Sequence, residues 1–465
     1  MHHSKRIDEI IENKRDKFIS VSQRIWELAE KSYEETASAD LLCRSLEEEG
    51  FAVERNVANI PTAFIGSYGS GNPVVAILGE YDALAGLSQE AGIAEQKPVK
   101  KNGNGHGCGH NLLGTGALAA AVAVKDYMRE HNITGTVRYY GCPAEENGDA
   151  KAYMVRDGVF DDVDFSLTWH PAPANAVSAM NALATYQVYF RFKGRSAHAA
   201  AAPHLGRSAL DAVELMNVGV NYLREHIIPQ ARIHYAVTNT GGYSPNVVQS
   251  DAEVLYLIRA PKVNQVELIY RRLVKIAEGA AHMTETEMEL EFDSGTSDLI
   301  KNRTIDQVML NNFHKLGIPE FTEEEIQFAK KIQATLSKDE LNNLWHESMK
   351  GQILSDTILP LTDEEAFAST DVADVSNVTP TSQAHAVTMA NGTSLHTWQV
   401  VAQVGSSIGQ KGMLHAGKVI ASTAVEMIQD ENLIQQAKEE LTEKFGGESY
   451  VSPIPEDVVP PVNRK

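Results

Sequence analysis

The sequence predicts an α/β protein in which a larger domain, built on a central and mostly parallel sheet flanked by helices, is interrupted by a smaller α+β domain. Three observations predict it. Apolar, strand-like runs at 74–78, 137–140 and 165–168 are joined by long connections, one of them the helical stretch 111–130. From Ala184 the pattern changes: Tyr186, Val188, Phe190 and Phe192 alternate with Gln187, Tyr189 and Arg191, the period of a half-buried strand. A chain of 465 residues also exceeds what one hydrophobic core usually holds.

The elements follow in order. The first sixty residues read as two acidic amphipathic helices, one carrying Ile25, Trp26 and Leu28 and the other Leu41, Leu42 and Leu46. The three apolar runs then supply sheet strands, whose ends are where ligand chemistry gathers in such folds. After the alternating strand come a helix at 208–226, strands near 234–237 and 253–258, and a helix at 263–282. Together they make a small sheet with two helices on one face. Beyond Phe292 the chain reads as helical and charged through Lys350, and a last helix covers 411–428. Four prolines (Pro453, Pro455, Pro460 and Pro461) give 446–465 the character of an extended tail.

Composition narrows the function classes. Lys and Arg number 41 against 62 Asp and Glu, a net charge of −21 that argues against a nucleic-acid partner. Cys43, Cys108 and Cys142 are too few for a disulfide framework, which points to a reducing cytoplasm. Met1 to Lys17 is charged throughout and lacks the apolar centre of a signal peptide. The most apolar helical stretch, 112–124, is shorter than the roughly 20 residues a membrane span needs. No membrane partner is expected.

Three clusters carry chemistry. His106-Gly107-Cys108-Gly109-His110-Asn111 opens the Ala-rich helix, and a thiolate and an imidazole two residues apart on a glycine-loosened turn are able to face one metal. Glycines at 103, 105, 107 and 109 do not satisfy a dinucleotide fingerprint. Pro143-Ala144-Glu145-Glu146 follows the second strand, where adjacent carboxylates point apart, one free to ligate and one to act as a base. Thr168-Trp169-His170-Pro171 ends the third strand with another imidazole. Two other motifs fail: His346-Glu347 lacks its second His, and Gly405-Ser406-Ser407-Ile408-Gly409 lacks the later Asp-then-His order of a serine hydrolase.

With these motifs and others in series, the chain resembles the zinc-dependent aminoacylase and carboxypeptidase G superfamily of amidohydrolases, closest to its aminobenzoyl-glutamate hydrolase branch. The resemblance runs from about Trp26 to Ile428 and rests also on Gly79-Glu80-Tyr81-Asp82-Ala83-Leu84, Ser196-Ala197-His198-Ala199-Ala200, Thr370-Asp371-Val372-Ala373-Asp374 and His396-Thr397-Trp398. It implies two divalent metal ions, Zn²⁺ or Mn²⁺, held by Cys108, His110, Glu146, His170 and His396, with Glu145 as catalytic base and Asp82 orienting a ligating imidazole. Many members have a His where this chain has Glu80, and Gln249 departs from a frequent Pro.

The resemblance further divides the chain into a catalytic domain at 1–183 and 297–445, a lid and dimerisation domain at 184–296, and the tail at 446–465. In relatives a His at the position of His198 reaches the partner's active site in a homodimer, while Asn246 and Arg259 match positions that hold substrate carboxylate or carbonyl groups. The implied reaction is hydrolysis of an N-acyl amino acid, aminobenzoyl-glutamate-like, by a metal-activated water, with Glu145 passing the proton to the leaving nitrogen. The alternatives are an aminoacylase, dipeptidase or conjugate hydrolase with another acyl group, or a weakly active chain working beside a related partner subunit. The segment 299–361 has no functional reading from sequence.

Overall fold

The computed structural model describes residues 3–178, 181–362, 367–446 and 450–462. In chain order its strands are β1 (Ala52–Arg55), β2 (Phe64–Ser70), β3 (Val74–Glu80), β4 (Gly135–Cys142), β5 (Phe165–Ala172), β6 (Ala176–Val177), β7 (Asn181–Ala182), β8 (Ala184–Lys193), β9 (Arg232–Asn239), β10 (Asp251–Ala260), β11 (Glu287–Thr296), β12 (Phe367–Ala368) and β13 (Thr381–Val387). The large sheet has the order β1-β2-β4-β3-β5-β13-β6. Its centre is parallel through β4, β3, β5 and β13, and β1, β2 and β6 add antiparallel at the edges.

Every residue of β3 and of β13 is buried, as strands covered on both faces require. Alternate residues of β3 serve two apolar clusters. Val75 and Ile77 pack under the helices His110–His131 and Ser407–Ile428. Val74, Ala76 and Leu78 face Tyr153, Met154, Val372 and Val375 on the other side. Small residues bring the first helix close to the sheet: a Cβ on Gly114 would lie 2.6 Å from the backbone oxygen of Glu80, and one on Gly116 would lie 2.7 Å from the Trp169 indole nitrogen. The Ala- and Gly-rich composition of that helix thus sets the distance between its N-terminus and the strand ends.

The second unit is an antiparallel sheet of order β11-β8-β10-β9. Helices Ala209–Leu223 and Val263–Thr284 cover one face, enclosing their own core of Phe190, Tyr256, Val213, Met216 and Leu273. The alternation that predicts β8 is seen directly, with Tyr186, Val188, Phe190 and Phe192 all buried.

Four expectations are corrected. The N-terminal region holds three helices, His3–Asn13, Arg15–Leu28 and Thr36–Glu48, because the chain breaks at Lys14. β1 and β2 add to the three expected strands; β1 is a largely exposed edge with little apolar signal. The chain does not turn helical after Phe292: β11 continues to Thr296, held against β8 by Thr185 and Thr296, whose hydroxyls are 2.9 Å apart, and the next helix is Arg303–Leu316. Its glutamates at 287, 289 and 291 mask the strand pattern. The helix expected at 411–428 begins at Ser407 and is followed by another, Glu431–Phe445.

In the tail, residues 447–449 and 463–465 lie outside the described residues. The segment 450–462 is neither helix nor strand, yet Ile454 is buried, Tyr450 donates to Asp374 at 2.7 Å, and Arg156 donates to the Pro455 and Val458 carbonyls. The segment 299–361 packs beside the loop that leads to His396: Gln333 donates to the Asn391 carbonyl at 2.9 Å, and Asn391 donates to the Met349 carbonyl at 2.7 Å. Among the described residues no helix is long and apolar enough to cross a membrane.

The close helix-to-strand approach yields a direct expectation. Gly114→Ala forces the helix off the end of β3 and costs about 1–3 kcal/mol. A denaturant midpoint unchanged from the parent would contradict the contact.

Candidate active site

Parallel strands end at one edge of a sheet, and here three such ends deliver chemistry together. β3 runs into Glu80 and Asp82, β4 into Glu145 and Glu146, and β5 carries His170. A fourth arm comes from the helix that starts at His110. Gly109 adopts φ +80°, and a Cβ there would meet the Pro171 ring at 2.9 Å, so the turn needs glycine. The last arm is the loop to His396, whose N–H donates to the Gly107 carbonyl at 2.8 Å and whose φ is +62°.

The donor atoms converge. Cys108, His110 and His170 place one donor each within 4.8 Å of one another, as do Cys108, Glu146 and His396, and also Glu80, His110 and Glu145. Cys108 is common to the first two groups, with Sγ 3.3 Å from His170 Nε2. His396 Nε2 lies 3.2 Å from Glu146 Oε2. Asp82 stands behind: Oδ1 is 2.8 Å from His110 Nδ1, and Oδ2 accepts the Glu146 backbone N–H at 2.9 Å. One carboxylate therefore fixes the imidazole's outward nitrogen and a second ligand's backbone. His170 Nδ1 is directed to the Pro171 carbonyl at 2.8 Å, which leaves Nε2 toward the cluster.

These residues fit divalent ions. His110 Nε2 and Glu146 Oε1 are buried without a hydrogen-bond partner among the described residues, an arrangement that a cation would satisfy. Among the protein groups alone, burial and then Glu146 push the Cys108 thiol up, and burial and then Glu80 push the Glu145 carboxyl well above its usual range. Burial opposes ionisation of Asp82, yet His110 holds that carboxyl below its usual range. A divalent ion favours the thiolate outright and returns the acids beside it to their charged forms. The third group differs: Lys151, fully buried, sits 2.8 Å from Glu80 Oε1 and 2.6 Å from Asp371 Oδ1. Against its burial, Asp371 and Glu80 raise the Lys151 ammonium well above its usual value. Glu80 is thus already paired with a lysine, whereas Glu145 has no lysine or arginine partner among the described residues, stands 3.9 Å from His110 Nε2 and opens onto the cavity.

That cavity, of about 450 Å³, is roofed by the second sheet. Cys108, Glu145, Glu146, His170 and His396 form its floor, and Thr185, Gln187, Arg259 and Thr296 come from the lid strands. Arg259 donates to the Ser369 hydroxyl at 2.5 Å and presents its charge to the cavity. His198 and Asn246 are not among the residues lining it. They lie side by side on an exposed part of the lid, where the Ala199 N–H donates to the Asn246 carbonyl at 2.9 Å and the His198 ring accepts from Ala200 and Ala201.

His106 belongs to no donor group; its ring bonds to the Ile25 carbonyl at 3.0 Å, a packing role. Cys43 and Cys142 are buried free thiols that belong to none of the donor groups found among the described residues. Sequence reasoning misses Lys151, which has no motif spacing of its own, and the polar lid wall of Thr185, Gln187 and Thr296. The one available signal is Asp371, which stands inside the Thr370-Asp371-Val372 motif and is the partner that holds Lys151.

Comparison with known proteins follows the same lines. Residues 76–458 match the model of Peptidase family M20/M25/M40. Over 470 residues, 98% of each chain, the protein is 50% identical to a subunit of the p-aminobenzoyl-glutamate hydrolase of Escherichia coli (strain K12). Xaa-Arg dipeptidase of Mus musculus is 27% identical over 97% of this chain and 93% of its own. A solved dinuclear metal binding peptidase of the M20 family from Bacillus subtilis superposes with a TM-score of 0.58 over 90% of this chain and 99% of that one; at 16% identity the likeness is one of fold.

Because Cys108 serves both donor groups, Cys108→Ala is expected to lower bound Zn²⁺ at both positions, read as metal per chain by elemental analysis after dialysis. Loss confined to one ion, or to none, would place the thiol outside the shared position.

Proposed function

Since this chain belongs to peptidase family M20/M25/M40, we propose that it is a two-metal amidohydrolase that cleaves an N-acyl amino acid of the aminobenzoyl-glutamate kind. The observation that carries the reading is one cavity beside two donor groups that share Cys108, with Glu145 at its floor and Arg259 on its wall. Cys108, His110 and His170 would hold one ion, and Cys108, Glu146 and His396 the other. When bound, the ions supply Lewis acidity toward the scissile carbonyl and the attacking water. A thiolate in both donor groups favours Zn²⁺ over Mn²⁺.

The chain's own residues do the rest. Glu145 accepts the water proton on a carboxylate oxygen and returns it to the departing amide nitrogen, so base and acid are one residue. Its neighbour Glu146 is committed to ligation and to the His396 contact. Arg259 pairs with a substrate carboxylate by a charge-assisted bond, aided by its position on the lid strand β10, facing the cavity. A local guanidinium is enough for an anionic substrate in an acidic protein, because the distant surface charge is screened within about 10 Å.

His198 and Asn246 act on the cavity of a second chain in this reading, His198 donating to the oxyanion of the tetrahedral intermediate. The lid has the surface for such pairing: β9 is an edge strand with Tyr235 and Val237 exposed, and Leu215, Val218 and Tyr222 line the outer side of the adjoining helix. The E. coli relative is named as one subunit of a hydrolase, which supports a related partner subunit as the other arrangement. Three unpaired, buried cysteines support a cytoplasmic location.

The dipeptidase relative keeps a second substrate class open to the same test, a panel of N-acyl amino acids and dipeptides assayed with the parent and with Glu145→Gln. Turnover of p-aminobenzoyl-glutamate should exceed that of the dipeptides, and Glu145→Gln should lower kcat by about 10²–10⁴-fold with metal content unchanged. Turnover by that variant within a few-fold of the parent would remove Glu145 from the mechanism.

A further inference from the structure

The turn that carries Glu145 and Glu146 is held by a segment that precedes residue 76, where the match to the family model begins. We propose that segment 32–35 is a clamp for this turn, with Glu35 as a positioning residue for the proton carrier Glu145 and the ligand Glu146. The inference rests on those two roles as assigned above.

Three contacts from four consecutive residues define the clamp. Glu35, fully buried, accepts the backbone N–H of Ala144 on Oε1 at 2.9 Å. Tyr33 donates its hydroxyl to the Gly148 carbonyl at 2.6 Å. Its ring lies so close that a Cβ on Gly148 would be 2.4 Å from it. Ser32 donates to Asp82 Oδ2 at 3.1 Å, the oxygen that also accepts the Glu146 N–H. The turn is therefore gripped at its start, at its end and, through Asp82, in its middle. The segment is itself anchored beside Asp82, since the Ala83 N–H donates to the Glu30 carbonyl at 2.8 Å.

The backbone explains why a clamp is needed. Ala144 has φ +58° and Tyr33 has φ +62°, left-handed conformations that side-chain-bearing residues adopt only when their surroundings impose them. Without Glu35 the Ala144 N–H is buried and unpaired. The turn then relaxes toward ordinary dihedrals, and rotation at Ala144 swings the next two side chains away from the metal donors and the substrate. A residue that only filled space would not need an acceptor at this atom.

Two readouts test the clamp: kcat and KM on p-aminobenzoyl-glutamate, and Zn²⁺ affinity by competition with a chelator. Glu35→Ala is expected to lower kcat at least ten-fold with KM within three-fold, and to weaken one of the two ions at least ten-fold. Glu35→Gln keeps an acceptor oxygen and should recover both to within three-fold of the parent. Parent-like values in Glu35→Ala, or equal damage in both variants, would overturn the proposal. If Glu35→Ala does not fold, Tyr33→Phe removes only the hydroxyl; a fall in kcat of three-fold or more at unchanged KM supports the clamp, and unchanged kcat and affinity overturn it. Glu145→Gln is run alongside. If that variant stays active, the role of Glu145 is what fails, and the Zn²⁺ affinities still decide the clamp.

Discussion

Glu35, Glu80, Asp82 and Asp371 are buried at one end of the central sheet, next to Glu145 and Glu146, whose side chains are only 11% and 5% exposed. Removing so many carboxyl groups from water is costly unless each finds a donor or a cation. Lys151 answers for Glu80 and Asp371, and His110, the Glu146 N–H and the Ser32 hydroxyl answer for Asp82. Among the described residues, Glu146 Oε1 and His110 Nε2 in the donor groups stay buried without a hydrogen-bond partner. The fold concentrates negative charge and gathers at its inner rim donor atoms able to hold divalent ions. The parallel order of β4, β3 and β5, the glycine turn at 109 and the small residues of helix His110–His131 all serve to bring that rim together.

Glu80 shows how one substitution is absorbed. Where many members of the superfamily that this chain resembles have a His, this chain has an acid, and Lys151 pairs with it at 2.8 Å. Cys108 is the residue common to the two donor groups at the cavity floor. Two carboxylates thus stand close to the same imidazole in different settings: Glu80 at 3.4 Å is tied to a lysine, and Glu145 at 3.9 Å lines the cavity, as the proposed proton carrier must.

Much of this is legible in the residues alone. The strands at 74–78, 137–140 and 165–168 are β3, β4 and β5 because an unbroken apolar run bounded by turn residues has few other uses. The residues expected as ligands, Cys108, His110, Glu146, His170 and His396, do come together; the first four stand out at element ends, whereas His396 is expected only from the family resemblance. What stays hidden is hidden for a physical reason. Glu35 meets Ala144 across 109 positions, and Lys151 meets Asp371 across 220, contacts that leave no local period or spacing. β1 and β11 are exposed or charge-rich, so their pairing partners, and not their own hydrophobicity, make them strands. His198 and Asn246 stand out by motif, and a single chain leaves them on the lid's outer surface.

The central claim is that this rim is incomplete without two cations, and thermal unfolding of the chelator-stripped protein titrated with Zn²⁺ tests it most directly. Ligands that bind only the folded chain raise its stability by mass action. The midpoint should climb with added ion and level off at two equivalents per chain. A midpoint indifferent to Zn²⁺ and to Mn²⁺, or one that saturates at a single equivalent, would contradict the account.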